Sequence, residues 1–251
     1  MIESDSIGPM GADVNLRTLT KNYFNRLCDY KYSYHFNWMG RPIIQFPQDV
    51  VAMQEIIWDV KPDLIIETGI AHGGSLILSA SLLAHLDLCE AIQSGIVFDP
   101  KSSKRKVLGI DIDIRKHNRD AIEAHPMSAW IQMIEGSSIS QEVISQIISI
   151  ADNYSRILIF LDSNHTHDHV LAELQAYAPL TSVGSYCVVF DTIVEDMPKS
   201  MFPDRPWGPG NNPKTAVREY LKDHSEFEVN KEIENKLLLT VAPDGYLKKI
   251  R

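Results

Sequence analysis

Apolar residues along this chain come in two textures: short unbroken runs, and longer stretches in which they return every third or fourth position. The run Leu64-Ile65-Ile66, flanked by Pro62 and Gly69, is too short for a helix. It predicts a strand buried on both faces of a parallel sheet. Residues 107–113, 129–135, 156–161 and 186–190 repeat that texture. Between these runs the longer period predicts a helix over 47–58, with Val50, Met53, Ile56 and Ile57 on one side, another over 76–83 behind a Ser75 cap, and a third over 141–151. Asn212 as cap with Pro213 at the first helical position starts a further helix through Leu221. Strands alternating with helices from Asp63 to Asp191 predict an α/β fold.

The flanking segments read less regularly. Residues 1–15 contain Gly8, Pro9 and Gly11 with little periodicity and read as a loose arm. Residues 16–34 are rich in aromatics and predict a helix passing into an extended piece, with Tyr34 and Trp38 serving either the core or a substrate pocket. Residues 89–106 show no strong period and read as an irregular insertion, while 198–213, rich in Pro, Gly and Asn, read as a lid over the sheet edge. Residues 227–229 and 237–241 predict a closing antiparallel pair. The chain thereby divides into an N-terminal arm with helices, 1–61, for substrate and oligomer contacts, and a core, 62–251.

Strand, glycine turn and helix form the opening unit of a nucleotide-binding α/β domain, and here the turn holds Gly69, Gly73 and Gly74. Glu67 closes the strand before it. A carboxylate there repels a pyrophosphate, whereas S-adenosylmethionine carries an ammonium and a sulfonium that the same charge favours. The glycine spacing also departs from G-x-G-x-x-G. At the end of the second strand, Asp111 stands where a carboxylate grips a ribose diol. Ser137, behind the third, either bonds an adenine edge or begins the next helix.

Composition narrows the picture. The 251 residues fit one decorated α/β domain, and 44% hydrophobic content is enough for its core. A formal charge of −9 argues against nucleic acid as a partner. The basic cluster 101–106 reads as a solvated loop. Cys28, Cys89 and Cys187 lack metal-ligand spacing and suit free thiols in a reducing cytoplasm. Neither a leader nor an apolar run near ~20 residues is evident, so no membrane span is expected.

Asp162 and Asp191 follow the fourth and fifth strands at the edge where open α/β sheets bind ligands. Alone they would repel each other. A hard divalent cation, Mg²⁺ rather than a soft metal, removes the conflict, with Thr192 or waters completing the shell. His165, three residues past Asp162, can accept a hydroxyl proton near neutral pH as the methyl group moves. The histidines of 165–169 also invite a second reading as a zinc or iron centre for hydrolysis or hydroxylation.

The stretches FNWMGRPIIQFPQD, DLIIETGIAHGGSLI, VLGIDIDIR, IEGSS, FLDSNHTHDHV and RPWGPGNNPKTAVREYL resemble the cephalosporin hydroxylase family of class I S-adenosylmethionine-dependent methyltransferases, which includes macrolide-sugar O-methyltransferases of the mycinamicin type. The resemblance covers roughly 34–221 and implies a Rossmann-like fold with a mostly parallel seven-stranded sheet and helices on both faces. It implies homo-oligomers and cofactor contacts at Glu67, Gly69, Gly73, Ser75, Asp111 and Ser137, with Gly74 and Asp162 counted beside them. It further implies a divalent metal at Asp162 and Asp191, His165 as general base, and a sugar or sugar-bearing metabolite as acceptor. Phe190 departs from the pattern, since metal-binding relatives place an acid before the aspartate closing the fifth strand. A carboxylate borrowed from Glu195 or Asp196, or a family member that binds the cofactor without turnover, would follow from that departure.

Overall fold

A computed structural model of the chain describes residues 6–251. The chain starts with α1 (Ile7–Ala12) and α2 (Val14–Cys28), a hairpin of β1 (Phe36–Trp38) and β2 (Arg41–Ile43), and α3 (Pro47–Val60). The described part of the expected loose arm is therefore helical, and residues 1–5 lie outside the described residues. Asp13 explains the second helix, because its side chain accepts from the amides of Asn15 and Leu16 and caps it.

Strands and helices then alternate through β3 (Leu64–Thr68), α4 (Gly74–Ser94), β4 (Lys106–Asp111), α5 (Lys116–Glu123), β5 (Ile131–Glu135), α6 (Gln141–Ala151), β6 (Ile157–Leu161), α7 (His167–Tyr177) and β7 (Tyr186–Val189). The chain closes with α8 (Pro213–Tyr220), β8 (Phe227–Val229), α9 (Lys231–Leu237) and β9 (Tyr246–Lys249). Seven strands form one sheet in the order β5-β4-β3-β6-β7-β9-β8, parallel except that β9 runs against both β7 and β8. The expected α/β architecture holds.

Alternation along the strands sorts the core. Ile65 of β3 joins Leu76, Leu78 and Leu83 of α4 on one face, while Leu64 and Ile66 join Val143 and Ile147 of α6 and Leu174 of α7 on the other. Each such side chain contributes about 1.5–3 kcal/mol by leaving water. Strand order reverses at β3, whose neighbours are β4 on one side and β6 on the other. A crevice opens above their carboxyl ends.

The glycines of the turn answer to neighbouring backbone. A Cβ at Gly69, where φ is +91°, would lie 2.1 Å from the carbonyl oxygen of Asp162, and one at Gly74 would lie 2.2 Å from that of Pro42. The turn is thus pressed between the exit of β6 and the N-terminal hairpin.

Several expected elements move. Gly73, in the left-handed region, is the N-cap of α4, and Ser75 sits inside the first turn with its hydroxyl given to Glu67 instead of the backbone. The helix runs on to Ser94, absorbing the start of the expected insertion, because Asp87 and Glu90 on its outer side pair with Arg105. Arg105 is consequently buried, so the cluster 101–106 is not wholly a solvated loop. Ser140, not Ser137, caps α6. Residues 237–241 form no strand. Leu238 turns with φ +56°, Leu239 and Val241 pack in the core, and β8 pairs with β9. Among the described residues α4 is the one helix long and apolar enough to cross a bilayer, yet half of its most apolar stretch is buried inside the fold, as in a core helix.

Candidate active site

Asp162 leaves β6 and Asp191 leaves β7 at adjacent points of the sheet edge, and Asp191 does so at φ +54°, in the left-handed region that aspartate tolerates better than most side chains. His165 stands between them. Its Nδ1 is 3.1 Å from Asp191 Oδ2 and its Nε2 is 3.7 Å from Asp162 Oδ1. One ligand atom from each of the three lies within 4.8 Å of the others, and no other such group occurs among the described residues. Burial alone would lower the His165 pKa, but the charges of Asp191 and Asp162 outweigh it and raise it to about 9. Burial pushes Asp162 up to about 6, against the hydrogen bond from His165, with the Asp191 charge adding to the rise. These charges leave an electrostatic conflict that a hard cation would relieve, and two carboxylates with an imidazole nearby suit Mg²⁺ or Mn²⁺ completed by water.

The other oxygens considered for that shell point elsewhere. Thr192 is fully buried and donates to the carbonyl of Pro243 at 2.6 Å. Glu195 accepts from the amide of Gly210 at 2.7 Å and from Asn212, and Asp196 pairs with Lys214 at 2.6 Å. Phe190 packs in the core against Phe160, their rings 5.9 Å apart. Glu195 and Asp196 are thus engaged elsewhere, and neither joins the cluster of Asp162, His165 and Asp191.

The histidine run disperses. His167 Nδ1 meets Thr215 Oγ1 at 2.8 Å and its Nε2 lies 3.3 Å from Glu219, fastening α7 to α8. His169 faces Ser138, Ser163 and Glu173 beneath the sheet edge. His165 lies on the loop before α7 and His167 and His169 on its first turn, so the three rings meet different neighbours and form no multi-histidine metal centre.

A cavity of about 650 Å³ opens beside Asp162, His165 and Asp191, a size suited to a small organic ligand. Gly69, Gly74 and Ser75 of the turn line it, as do Tyr34, Gln45 and the lid residues Arg205 and Trp207. Trp38 instead donates its Nε1 proton to Ser81 Oγ at 3.0 Å and packs on α4. The Trp207 ring lies 5.0 Å from that of His165, and the Arg205 guanidinium lies 5.0 Å over Trp207. The expected lid does overhang the site.

Four of the expected cofactor residues do not line that cavity. Glu67 lies beneath Ser75, whose hydroxyl it accepts through Oε1, and the buried Ser79 hydroxyl is its second polar neighbour. Burial pushes its pKa up to about 8, opposed by the Ser75 hydrogen bond. Asp111 Oδ2 takes the amides of Ile70 at 2.8 Å and Ala71 at 3.2 Å, so this carboxylate braces the turn itself. Gly73 caps α4 against Ile122, and Ser137 lies on the loop leaving β5, its carbonyl accepting from Ser140. The unpaired buried oxygen of Gln45, which does line the cavity, suits a ligand that brings donors and positive charge, as S-adenosylmethionine does.

Residues 30–250 match the family described as Rhamnosyl O-methyltransferase/CmcI. The chain belongs to this family. Rhamnosyl O-methyltransferases of Mycobacterium bovis and Mycobacterium tuberculosis are 30% identical to it over 230 residues, covering 90% of this chain and 82% of theirs. That of Mycobacterium leprae is 30% identical over 211 residues, 84% of this chain and 81% of its own. Among solved structures, CmcI with Mg and SAM superposes with a TM-score of 0.56 at 15% identity, covering 87% of this chain and 78% of that one. An O-methyltransferase from Bacillus cereus in complex with SAH gives 0.51 at 15% identity, covering 84% and 81%. At such identity the likeness concerns the fold, which is that of the class I methyltransferases.

Two roles at this site were not expected, although Gln45 and Ser75 both lie in stretches that carry the family resemblance. Gln45 donates to Asp162 Oδ2 at 3.0 Å from the loop after β2, and Ser75 serves Glu67 where a helix cap was expected. A polar residue in the otherwise apolar stretch 43–47 is the signal that could have found the first.

Proposed function

We propose that this chain transfers a methyl group from S-adenosylmethionine to a hydroxyl of a sugar or a sugar-bearing metabolite, with Mg²⁺ held by Asp162 and Asp191. The observation that carries the reading is the convergence of Asp162, His165 and Asp191 in one cavity with the glycine turn. Family membership and the naming of relatives as rhamnosyl O-methyltransferases support the acceptor class.

Asp191 Oδ2 lies 3.1 Å from His165 Nδ1, and its charge favours a proton on that side of the ring, which leaves Nε2 to face the reacting hydroxyl in this reading. When bound, the ion supplies Lewis acidity that lowers the pKa of an acceptor hydroxyl. With the charges of Asp162 and Asp191 neutralised by a bound cation, His165, whose pKa those charges otherwise raise to about 9 so that it is protonated, is free to take the hydroxyl proton through Nε2 as the oxygen bonds to the sulfonium methyl carbon; the carbon–sulfur bond breaks, and its electron pair leaves with S-adenosylhomocysteine. Gln45 and Asp191 hold the two other members of the site in register, an arrangement that positions the reacting groups before any chemistry begins. Trp207 offers an indole face for the sugar, and Arg205 beside it a charge for an anionic substituent. Cytoplasmic residence fits three unpaired cysteines, and assembly into a homo-oligomer fits the exposed Leu19, Tyr23 and Tyr30 on and just past α2.

The test is turnover of methyl-labelled S-adenosylmethionine with Mg²⁺ and a panel of rhamnose-bearing glycosides and nucleotide-linked sugars. Labelled product that disappears with chelator is expected. Absence of S-adenosylhomocysteine binding by calorimetry would overturn the reading, whereas binding without turnover on any hydroxylated acceptor would favour a non-catalytic family member.

A further inference from the structure

Gln45 lies two residues past β2, is 4% exposed, and lines the cavity together with Gly69, Gly74 and Asp162. Its Nε2 donates to Asp162 Oδ2 at 3.0 Å, which fixes the orientation of the amide. Rotated by half a turn, Oε1 would face a carboxylate oxygen, acceptor against acceptor. The amide oxygen is therefore turned away from Asp162, and it is buried without a hydrogen-bond partner among the described residues. Buried amide oxygens are nearly always paired, and an orphan is destabilising until something donates to it.

The position of Gln45 narrows what that donor is. The backbone of Pro42, three residues earlier, is pressed on Gly74, so the segment that carries Gln45 closes directly over the turn after β3. The Glu67 carboxyl is buried beneath the same turn and gives the site an acidic floor. An acceptor sugar brings one proton per hydroxyl and belongs beside His165 and Asp191. An α-ammonium brings three N–H donors and a positive charge, which matches carbonyl and carboxyl oxygens gathered around the turn.

We propose that Gln45 is a cofactor-binding residue, accepting a hydrogen bond through Oε1 from the ammonium of the methionine arm of S-adenosylmethionine while its amide nitrogen holds Asp162 in place. This assignment rests on the methyltransferase reading. Gln45 thus couples the arm of the methyl donor to the carboxylate that serves the acceptor, across the boundary between the N-terminal hairpin and the sheet.

Calorimetry with two ligands separates this role from a purely structural one. S-adenosylhomocysteine carries the amino-acid arm, and 5′-methylthioadenosine keeps the adenosine and thioether without it. Gln45→Met, similar in length but without acceptor oxygen, is expected to weaken S-adenosylhomocysteine about tenfold to a hundredfold, the loss of one bond to a charged group, and to leave methylthioadenosine unchanged. Gln45→Glu, which restores oxygen acceptors, is expected to recover most of that loss. Unchanged S-adenosylhomocysteine affinity in Gln45→Met, or equal weakening of both ligands, would overturn the proposal. Failure of the unmodified protein to bind S-adenosylhomocysteine would instead remove the methyltransferase reading beneath it.

Discussion

Two buried carboxylic acids, Asp49 and Glu67, lie at the two ends of the segment that joins the N-terminal part to the sheet, and they are treated in opposite ways. Asp49 is fully buried, and its oxygens accept from Thr240 Oγ1, from the amide of Val241 at 3.0 Å and from the Tyr246 hydroxyl at 2.8 Å. Burial raises its pKa to about 6 while those three bonds hold it down. Glu67 is 2% exposed, accepts from Ser75 with only the Ser79 hydroxyl besides and no backbone amide, and burial takes it to about 8. Where every acceptor is satisfied, the acid fastens α3 to the closing segment of the chain. Where the fold supplies fewer bonds, with Glu67 held by serines alone and the Gln45 oxygen left open, the polypeptide stops short of completing its own hydrogen bonds beside a cavity, which is how a ligand site differs from a structural one.

The largest expected effect is at the metal-binding edge. Asp162→Asn or Asp191→Asn should lower turnover by at least about a thousandfold and abolish Mn²⁺ binding by calorimetry, with thermal stability nearly unchanged. A fall in melting temperature without loss of Mn²⁺ binding would move this edge into the structural class with Asp49. Next, His165→Gln should reduce kcat by about 10²–10⁴ with little change in KM for the methyl donor. Retained full activity would show that another group removes the hydroxyl proton.

Asp49→Ala should cost about 2–4 kcal/mol in chemical denaturation, since it strands three donors in the core, and should leave activity per folded molecule intact. Glu67→Gln gives the smallest and most diagnostic shift. Because the folded pKa of Glu67 is raised from 4.5 to about 8, the folded state holds a proton that the unfolded chain releases. The associated stability is complete below about pH 4.5 and is lost as pH rises to about 8. Between pH 6.5 and 8 the unmodified protein should therefore lose roughly 2 kcal/mol that Glu67→Gln keeps, at 1.36 kcal/mol per unit. The same variant should bind S-adenosylhomocysteine more weakly, and parallel pH profiles for the two proteins would break the comparison.

Much of the scaffold was legible because it obeys local rules. Strands buried on both faces announce themselves as unbroken apolar runs, so the five parallel strands fall at or within two residues of their expected positions. Asp162, His165 and Asp191 were legible for the same reason, as polar residues placed just past such runs. The closing strand was misplaced. Leu237 to Val241 have the apolarity of a strand, yet the left-handed turn at Leu238 and the demand of Asp49 for the amide of Val241 remove them from the ladder.

By itself the amino-acid order determined the layer architecture, the edge at which ligands enter and the carboxylates at that edge, since all of these follow from periodicity within a few residues of chain. Only the tertiary structure decided which hydrogen-bonding groups find partners. It spread His165, His167 and His169 onto three different neighbours, gave Ser75 to Glu67 and Arg105 to Asp87 and Glu90, and brought Gln45 across 117 positions to Asp162. Pairing of this kind depends on which backbones approach one another after folding, and spacing along the chain carries no record of that distance.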